Sequence, residues 1–181
     1  MSQKRIVTAQ DISCFGKCSL TVALPLISAC SIECDILPTA LLSTHTAFNN
    51  FTFLDLSDEL SAIYNHWQSL NIHFDGIYTG YLGSAHQIDL ILDFISKFKT
   101  DQTFLFVDPA MADNGKLYSG FDLNFVKKMK ELVKSAEIID PNLTEACLLT
   151  DTPYKETFNE KEIESLCIKL AELGPNKIIL T

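Results

Sequence analysis

Basic residues are scarce in this sequence: 14 Lys and Arg stand against 23 Asp and Glu, for a formal net charge of −9. A protein that grips a nucleic-acid backbone needs a surplus of positive charge, so the composition argues against such a partner. Long apolar runs are missing too. The longest candidate, Leu20 to Ile32, contains Pro25 and falls short of the ~18 residues that a membrane span needs. Met1 to Arg5 run straight into a strand-like segment, with neither an h-region nor a cleavage site. No signal peptide is therefore expected, and the expected location is the cytoplasm. There is no internal repeat and no low-complexity tract. G-x-x-x-x-G-K-[ST] is absent, as are G-x-G-x-x-G after the first strand and G-x-S-x-G. These absences disfavour P-loop NTPases, Rossmann dehydrogenases and the nucleophile elbow of hydrolases.

Six cysteines are present: Cys14, Cys18, Cys30, Cys34, Cys147 and Cys167. Two C-x3-C pairs lack the C-x2-C knuckle of zinc ribbons, so reduced, half-buried thiols are the preferred reading over a metal site. At 47% hydrophobic and 20% charged, the 181-residue chain has the composition of a globular domain with a real core.

Short apolar runs alternate with longer helical patterns. Strands are expected at Arg5–Ala9, Cys34–Leu37, Gly76–Thr79, Thr103–Val107, Glu137–Ile139 and Lys177–Leu180. They are rich in Ile, Val and Phe and mostly lack strict alternation, as strands covered on both faces do. Helices are expected at Ser19–Cys30, Ser57–Leu70, Ser84–Phe98, Asp122–Ser135 and Asn159–Leu173. The first is apolar nearly all round and should be buried. The second should be capped by Ser57, and the last stops at Gly174-Pro175. Strand and helix in alternation predict one α/β domain with a mainly parallel central sheet over residues 1–181. The chain stops at Leu180-Thr181, on a strand tip, which reads as an interruption.

Ligands of open α/β sheets collect beyond the carboxyl ends of the strands. The segments there are Gln10–Gly16, Pro38–Thr46, Thr79–Ser84, Asp108–Gly115 and Asp140–Glu145, with Thr181 at the last strand end. Polar residues, glycines and prolines cluster in them. Each segment alone also has a plain reading as a turn or a cap; their shared position is what predicts one ligand-binding rim.

At these segments the sequence resembles the pyridoxal/pyridoxamine kinases of the ribokinase-like superfamily. The resemblance rests on QDISCFGKCSLTVALPLISACSIECDILPTALLSTHT at residues 10–46, then TGYLGS, DPAMADNGKLY and DPNLTEACLLT in the family's order. It implies a three-layer αβα fold, ATP and Mg²⁺ as cofactors, and γ-phosphoryl transfer to the 5′-hydroxymethyl of pyridoxal, pyridoxine or pyridoxamine. It also implies a homodimer. By resemblance, Asp11, Thr46 and Tyr81 bind the substrate, Tyr81 stacking on its ring. Asp108, Asn142, Glu145 and Thr181 lie on the nucleotide side, and Asp108 and Asp113 serve the metal.

Three departures from the family's pattern stand out. Asp11 stands where serine is usual, Ala112 replaces a glycine, and Ser19-Leu20 replaces a Gly-Asn pair. The G-x-G-D motif, whose aspartate the resemblance makes the base, does not occur in residues 1–181. No catalytic residue is therefore assigned within the chain. The expectation is the first two-thirds of a kinase, inactive alone. The alternatives are a hydroxymethylpyrimidine kinase of thiamine synthesis and a non-catalytic kinase-like module.

Overall fold

The computed structural model describes residues 3–181. The chain divides into two compact units, the first reaching to Phe104 and the second running from Leu105 to Thr181.

In the first unit, β1 (Arg5–Ser13) is followed by α1 (Leu20–Ala29), β2 (Glu33–Leu42), β3 (Phe53–Asp55), α2 (Ser57–Ser69), β4 (Gly76–Thr79) and α3 (Ala85–Phe98). The strand order is β3-β2-β1-β4. β1 lies parallel to β2 and β4, and the short β3 runs antiparallel to β2. Val7 through Asp11 are buried without a break, as befits a central strand covered on both faces. α3 shows why the helical period matters. Ile88, Ile91, Phe94, Ile95 and Phe98 form one buried stripe, each side chain contributing about 1.5–3 kcal/mol of apolar burial. Their floor is aromatic: Phe94 stacks on Phe98 with centroids 4.7 Å apart, and Phe74 and Trp67 meet both Phe94 and each other or Phe98 edge-on or tilted.

Three expectations need correction here. β1 and β2 run several residues past their expected ends, and β3 was not expected at all. α1 is apolar all round, yet only Leu20 and Ala23 are buried; Val22, Leu24 and Leu26 are exposed. Ser57 does not cap α2. Leu56 occupies that position, and Asp55 Oδ1 accepts from both the Ser57 N–H and its hydroxyl. Ser84 does cap α3, accepting from the Gln87 N–H at 3.1 Å.

In the second unit, β5 (Phe104–Val107) leads to the hairpin β6 (Ala112–Asp113) and β7 (Lys116–Leu117). Then come α4 (Leu123–Lys134), β8 (Ile138–Ile139), α5 (Leu143–Leu149), α6 (Glu160–Glu172) and β9 (Lys177–Ile178). β5, β8 and β9 are parallel neighbours in that order. Asn114 and Gly115 close the hairpin with φ of 49° and 76°. Both lie in the left-handed region that a two-residue type I′ turn demands, the reason Asn-Gly is the favoured pair. Asp122, Asn142 and Asn159 cap α4, α5 and α6, and the last two do so in full capping boxes with Glu145 and Glu162. Among the described residues no helix is long and apolar enough to cross a membrane.

Candidate active site

At the carboxyl end of β1 the register against β2 slips: Gln10 pairs with Pro38 but Ile12 pairs with Leu41. Proline has no N–H to give the ladder, and a bulge at this point re-aims the neighbouring side chains. Asp11 sits at the slip, buried to 2% exposure. Its Oδ2 accepts from the Ser13 hydroxyl at 3.0 Å. Its Oδ1 is buried with no hydrogen-bond partner among the described residues, and the same holds for Gln10 Nε2, Thr44 Oγ1 and Thr79 Oγ1. Such atoms are costly to leave unmatched, and a polar ligand or ordered water would match them.

Tyr81 follows β4. Burial, then the negative charges of Asp11 and Asp55, raises its phenol above the ordinary value, which places Tyr81 and Asp11 in one electrostatic environment. Gly80 precedes it because nothing larger fits: a Cβ there would come within 2.9 Å of the Gln10 side chain. Thr46 is exposed on the loop after β2. That loop is held to the one after β1 by a His45 N–H bond to the Phe15 carbonyl at 3.3 Å and by edge-on contacts among His45, Phe48 and Phe15.

In the second unit the loop after β5 is gripped from α5. Glu145 Oε1 accepts from the Met111 N–H at 3.0 Å and the Ala112 N–H at 3.4 Å, while Oε2 accepts from the Asn142 N–H at 2.9 Å. Asn142 Nδ2 donates to the Ala112 carbonyl at 2.7 Å, and Thr144 Oγ1 accepts from the Gly115 N–H at 3.0 Å. Asn142 and Glu145 thus have a local task the sequence did not reveal, clamping the segment that carries Asp108 and Asp113. Asp113 is exposed on the hairpin and spends its carboxylate on the Asn114 N–H and side-chain amide. Thr181, also exposed, donates its N–H to the Pro141 carbonyl at 3.1 Å, beside Asn142.

Three carboxyls crowd here. Burial raises Asp108 to about 6 against an opposing hydrogen bond from the Ala110 N–H. Burial, followed by the charges of Asp108 and Glu145, raises Asp140 to about 7. Glu145 reaches about 7, again chiefly through burial, against the amide bonds of Asn142 and Met111. Asp140 Oδ1 is buried without a partner among the described residues. The sequence places Asp140 in the predicted ligand-binding rim without a role of its own; the structure puts it one residue past β8. A cation would let these groups ionise. Among the described residues no set of three His, Cys, Asp or Glu is arranged to hold a metal ion alone. All six cysteines are free; Cys14, Cys18 and Cys30 are exposed rather than half-buried.

Residues 48–181 match the family model described as phosphomethylpyrimidine kinase. A Bacteroides thetaiotaomicron protein described as a phosphomethylpyrimidine kinase, crystallised with pyridoxal, has a TM-score of 0.96 and 42% identity over 99% of this chain and 63% of its own. Pyridoxal kinase from Lactobacillus plantarum has a TM-score of 0.88 and 36% identity over 97% of this chain and 62% of its own. A pyridoxal kinase of Arabidopsis thaliana is 33% identical over 112 residues, 61% of this chain and 35% of that protein. The match spans about a third of that curated relative and a little over three fifths of the two solved chains. The chain belongs to the phosphomethylpyrimidine kinase family, alongside pyridoxal kinases of the ribokinase-like fold.

Proposed function

We propose that residues 1–181 form the greater part of one ATP-dependent kinase domain that phosphorylates the 5′-hydroxymethyl of pyridoxal, pyridoxine or pyridoxamine. The reading is carried by the buried Asp11 carboxylate, one oxygen of which lacks a partner among the described residues while its charge is felt by Tyr81. An acceptor there takes a hydrogen bond from the ring hydroxyl or ring nitrogen of a vitamer, and the Tyr81 ring offers a stacking face. Thr46 adds a hydroxyl from the neighbouring loop. The pyridoxal-bound Bacteroides relative supports this choice of ligand.

On the nucleotide side, Asp108 and Asp113 hold Mg²⁺, and Asn142, Glu145 and Thr181 line the place of ATP. Asp108 and Asp113 would hold the ion, which would supply charge neutralisation at the phosphates; the chain's own contribution is to position these carboxyls. Residues 1–181 contain no G-x-G-D, so binding without turnover is expected of this chain. A homodimer in the cytoplasm completes the proposal.

A second reading, hydroxymethylpyrimidine kinase, is favoured by the description of the matching family model. Calorimetric titration of the 181-residue chain separates the two. Pyridoxal should bind at least about tenfold tighter than hydroxymethylpyrimidine, a gap of ~1.4 kcal/mol. The reverse order, or no heat with pyridoxal, overturns the first reading. Turnover of any vitamer with ATP and Mg²⁺ by residues 1–181 overturns the expectation of inactivity.

A further inference from the structure

One polar side chain lies where the apolar stripe of α3 should continue. Gln87 is wholly buried, at 0% exposure, one position before Ile88. A buried amide is expensive unless every donor and acceptor is matched, and here all are. Oε1 accepts from the Gly83 N–H at 2.8 Å. The two Nε2 hydrogens are shared among three acceptors, the Thr39 carbonyl at 2.8 Å, Asp55 Oδ1 at 2.9 Å and Ser57 Oγ at 3.1 Å.

These partners come from three separate places. Thr39 lies in the part of β2 where the register slips. Asp55 and Ser57 form the junction of β3 with α2. Gly83 belongs to the turn that carries Tyr81. The Thr39 hydroxyl then closes the circuit by donating to the Tyr81 carbonyl at 3.2 Å. The turn is therefore held twice, at the Gly83 N–H by Gln87 and at the Tyr81 carbonyl by a threonine whose own carbonyl Gln87 engages. A helix–sheet contact made only for stability would be served at less cost by the leucine or isoleucine that the stripe calls for.

We infer that Gln87 is a positioning residue that sets the Tyr81 ring for its planar ligand, acting through Gly83 and Thr39 and touching no substrate itself. This rests on the proposed pyridoxal reading for the ligand, but the geometry of the turn does not.

The test uses the 181-residue chain with Gln87→Met, which keeps length and volume and removes all four bonds. A second variant, Thr39→Val, removes the hydroxyl bond to Tyr81 and leaves Gln87 in place. Two quantities are read below the melting temperature. One is the Tyr81 phenol titration, isolated by difference against Tyr81→Phe; the other is the pyridoxal dissociation constant. The expected result is a Tyr81 titration displaced toward the ordinary tyrosine value in Gln87→Met and, more weakly, in Thr39→Val. Pyridoxal affinity should fall about tenfold in Gln87→Met, the loss expected when an aromatic contact is kept but no longer held. A lower melting temperature with the Tyr81 titration and pyridoxal affinity both unchanged would reduce Gln87 to a packing residue. Should Gln87→Met fail to fold, Thr39→Val decides on the same readouts. If the wild-type chain binds no pyridoxal, the proposed function falls, while the Tyr81 titration still decides the role of Gln87.

Discussion

In the first unit, four buried side-chain atoms near the strand ends, Gln10 Nε2, Asp11 Oδ1, Thr44 Oγ1 and Thr79 Oγ1, have no partner among the described residues, against Asp140 Oδ1 in the second. In the second, the backbone N–H groups of Met111, Ala112, Asn114 and Gly115 are all met by side chains. What the second unit has in excess is negative charge, with Asp108, Asp140 and Glu145 all pushed toward the neutral form. Under the proposed function the two regions take different chemistry. One suits a polar, planar molecule that completes hydrogen bonds; the other suits a cation and the phosphates it brings.

The largest effect should come from separating the two. Asp108→Asn removes one of the three crowded carboxylates. ATP binding in the presence of Mg²⁺ should weaken by ~10–100-fold, with pyridoxal affinity unchanged within about twofold. Calorimetry with each ligand checks this, and equal losses for both would erase the contrast. Next comes Tyr81→Ala, which should cost ~1–3 kcal/mol of pyridoxal binding and leave the nucleotide alone. An unchanged pyridoxal dissociation constant removes Tyr81 from the site.

Stability against pH probes the crowded carboxyls directly. Asp140 ionises near 3.8 when unfolded and at about 7 when folded. Between those values the folded chain keeps a proton that the unfolded chain has lost. The contribution is fully present below pH 3.8 and is lost as pH rises through about 7. Asp108 and Glu145 act in the same direction. Urea unfolding without Mg²⁺ should therefore show lower stability at about pH 8 than at about pH 5. Asp140→Asn should recover roughly 1–2 kcal/mol at the higher pH, a figure discounted for screening at a partly exposed group. A difference that persists undiminished in the variant would place its origin elsewhere.

The smallest effect concerns the backbone. Ser19 holds φ 50° and ψ −122°, a conformation that strains any residue with a Cβ. Ser19→Gly should stabilise the chain by ~0.5–1 kcal/mol, measured by thermal unfolding; a loss of stability would contradict the strain.

The fold was legible wherever local pattern decides structure. The alternation of strands and helices, the stripe on α3 and the caps at Ser84 and Asn142 all follow from periodicity or from short-range hydrogen bonding. Ser19 is instructive in another way. The family's glycine at this position was noticed as a departure, and the positive φ gives its physical reason. Asp113-Asn114-Gly115-Lys116 carried a hairpin signal that went unread because two-residue strands have no period to detect. β3 has all three residues exposed, so no burial pattern marks it. α1 misled because apolar composition alone does not say which face is covered. The charge of Asp11 acts on Tyr81, and that of Asp108 on Glu145. Gln87 stays hidden for a plainer reason: its importance lies in partners far along the chain, such as Thr39 at a separation of 48 residues.

The most direct measurement is an amide NMR titration of the 181-residue chain with pyridoxal. The largest shifts should fall at Gln10–Ser13 and Gly80–Gly83, with little change at Asp108–Gly115 until ATP and Mg²⁺ are added. Pyridoxal shifts confined to residues outside those first two segments would contradict the proposed pyridoxal site.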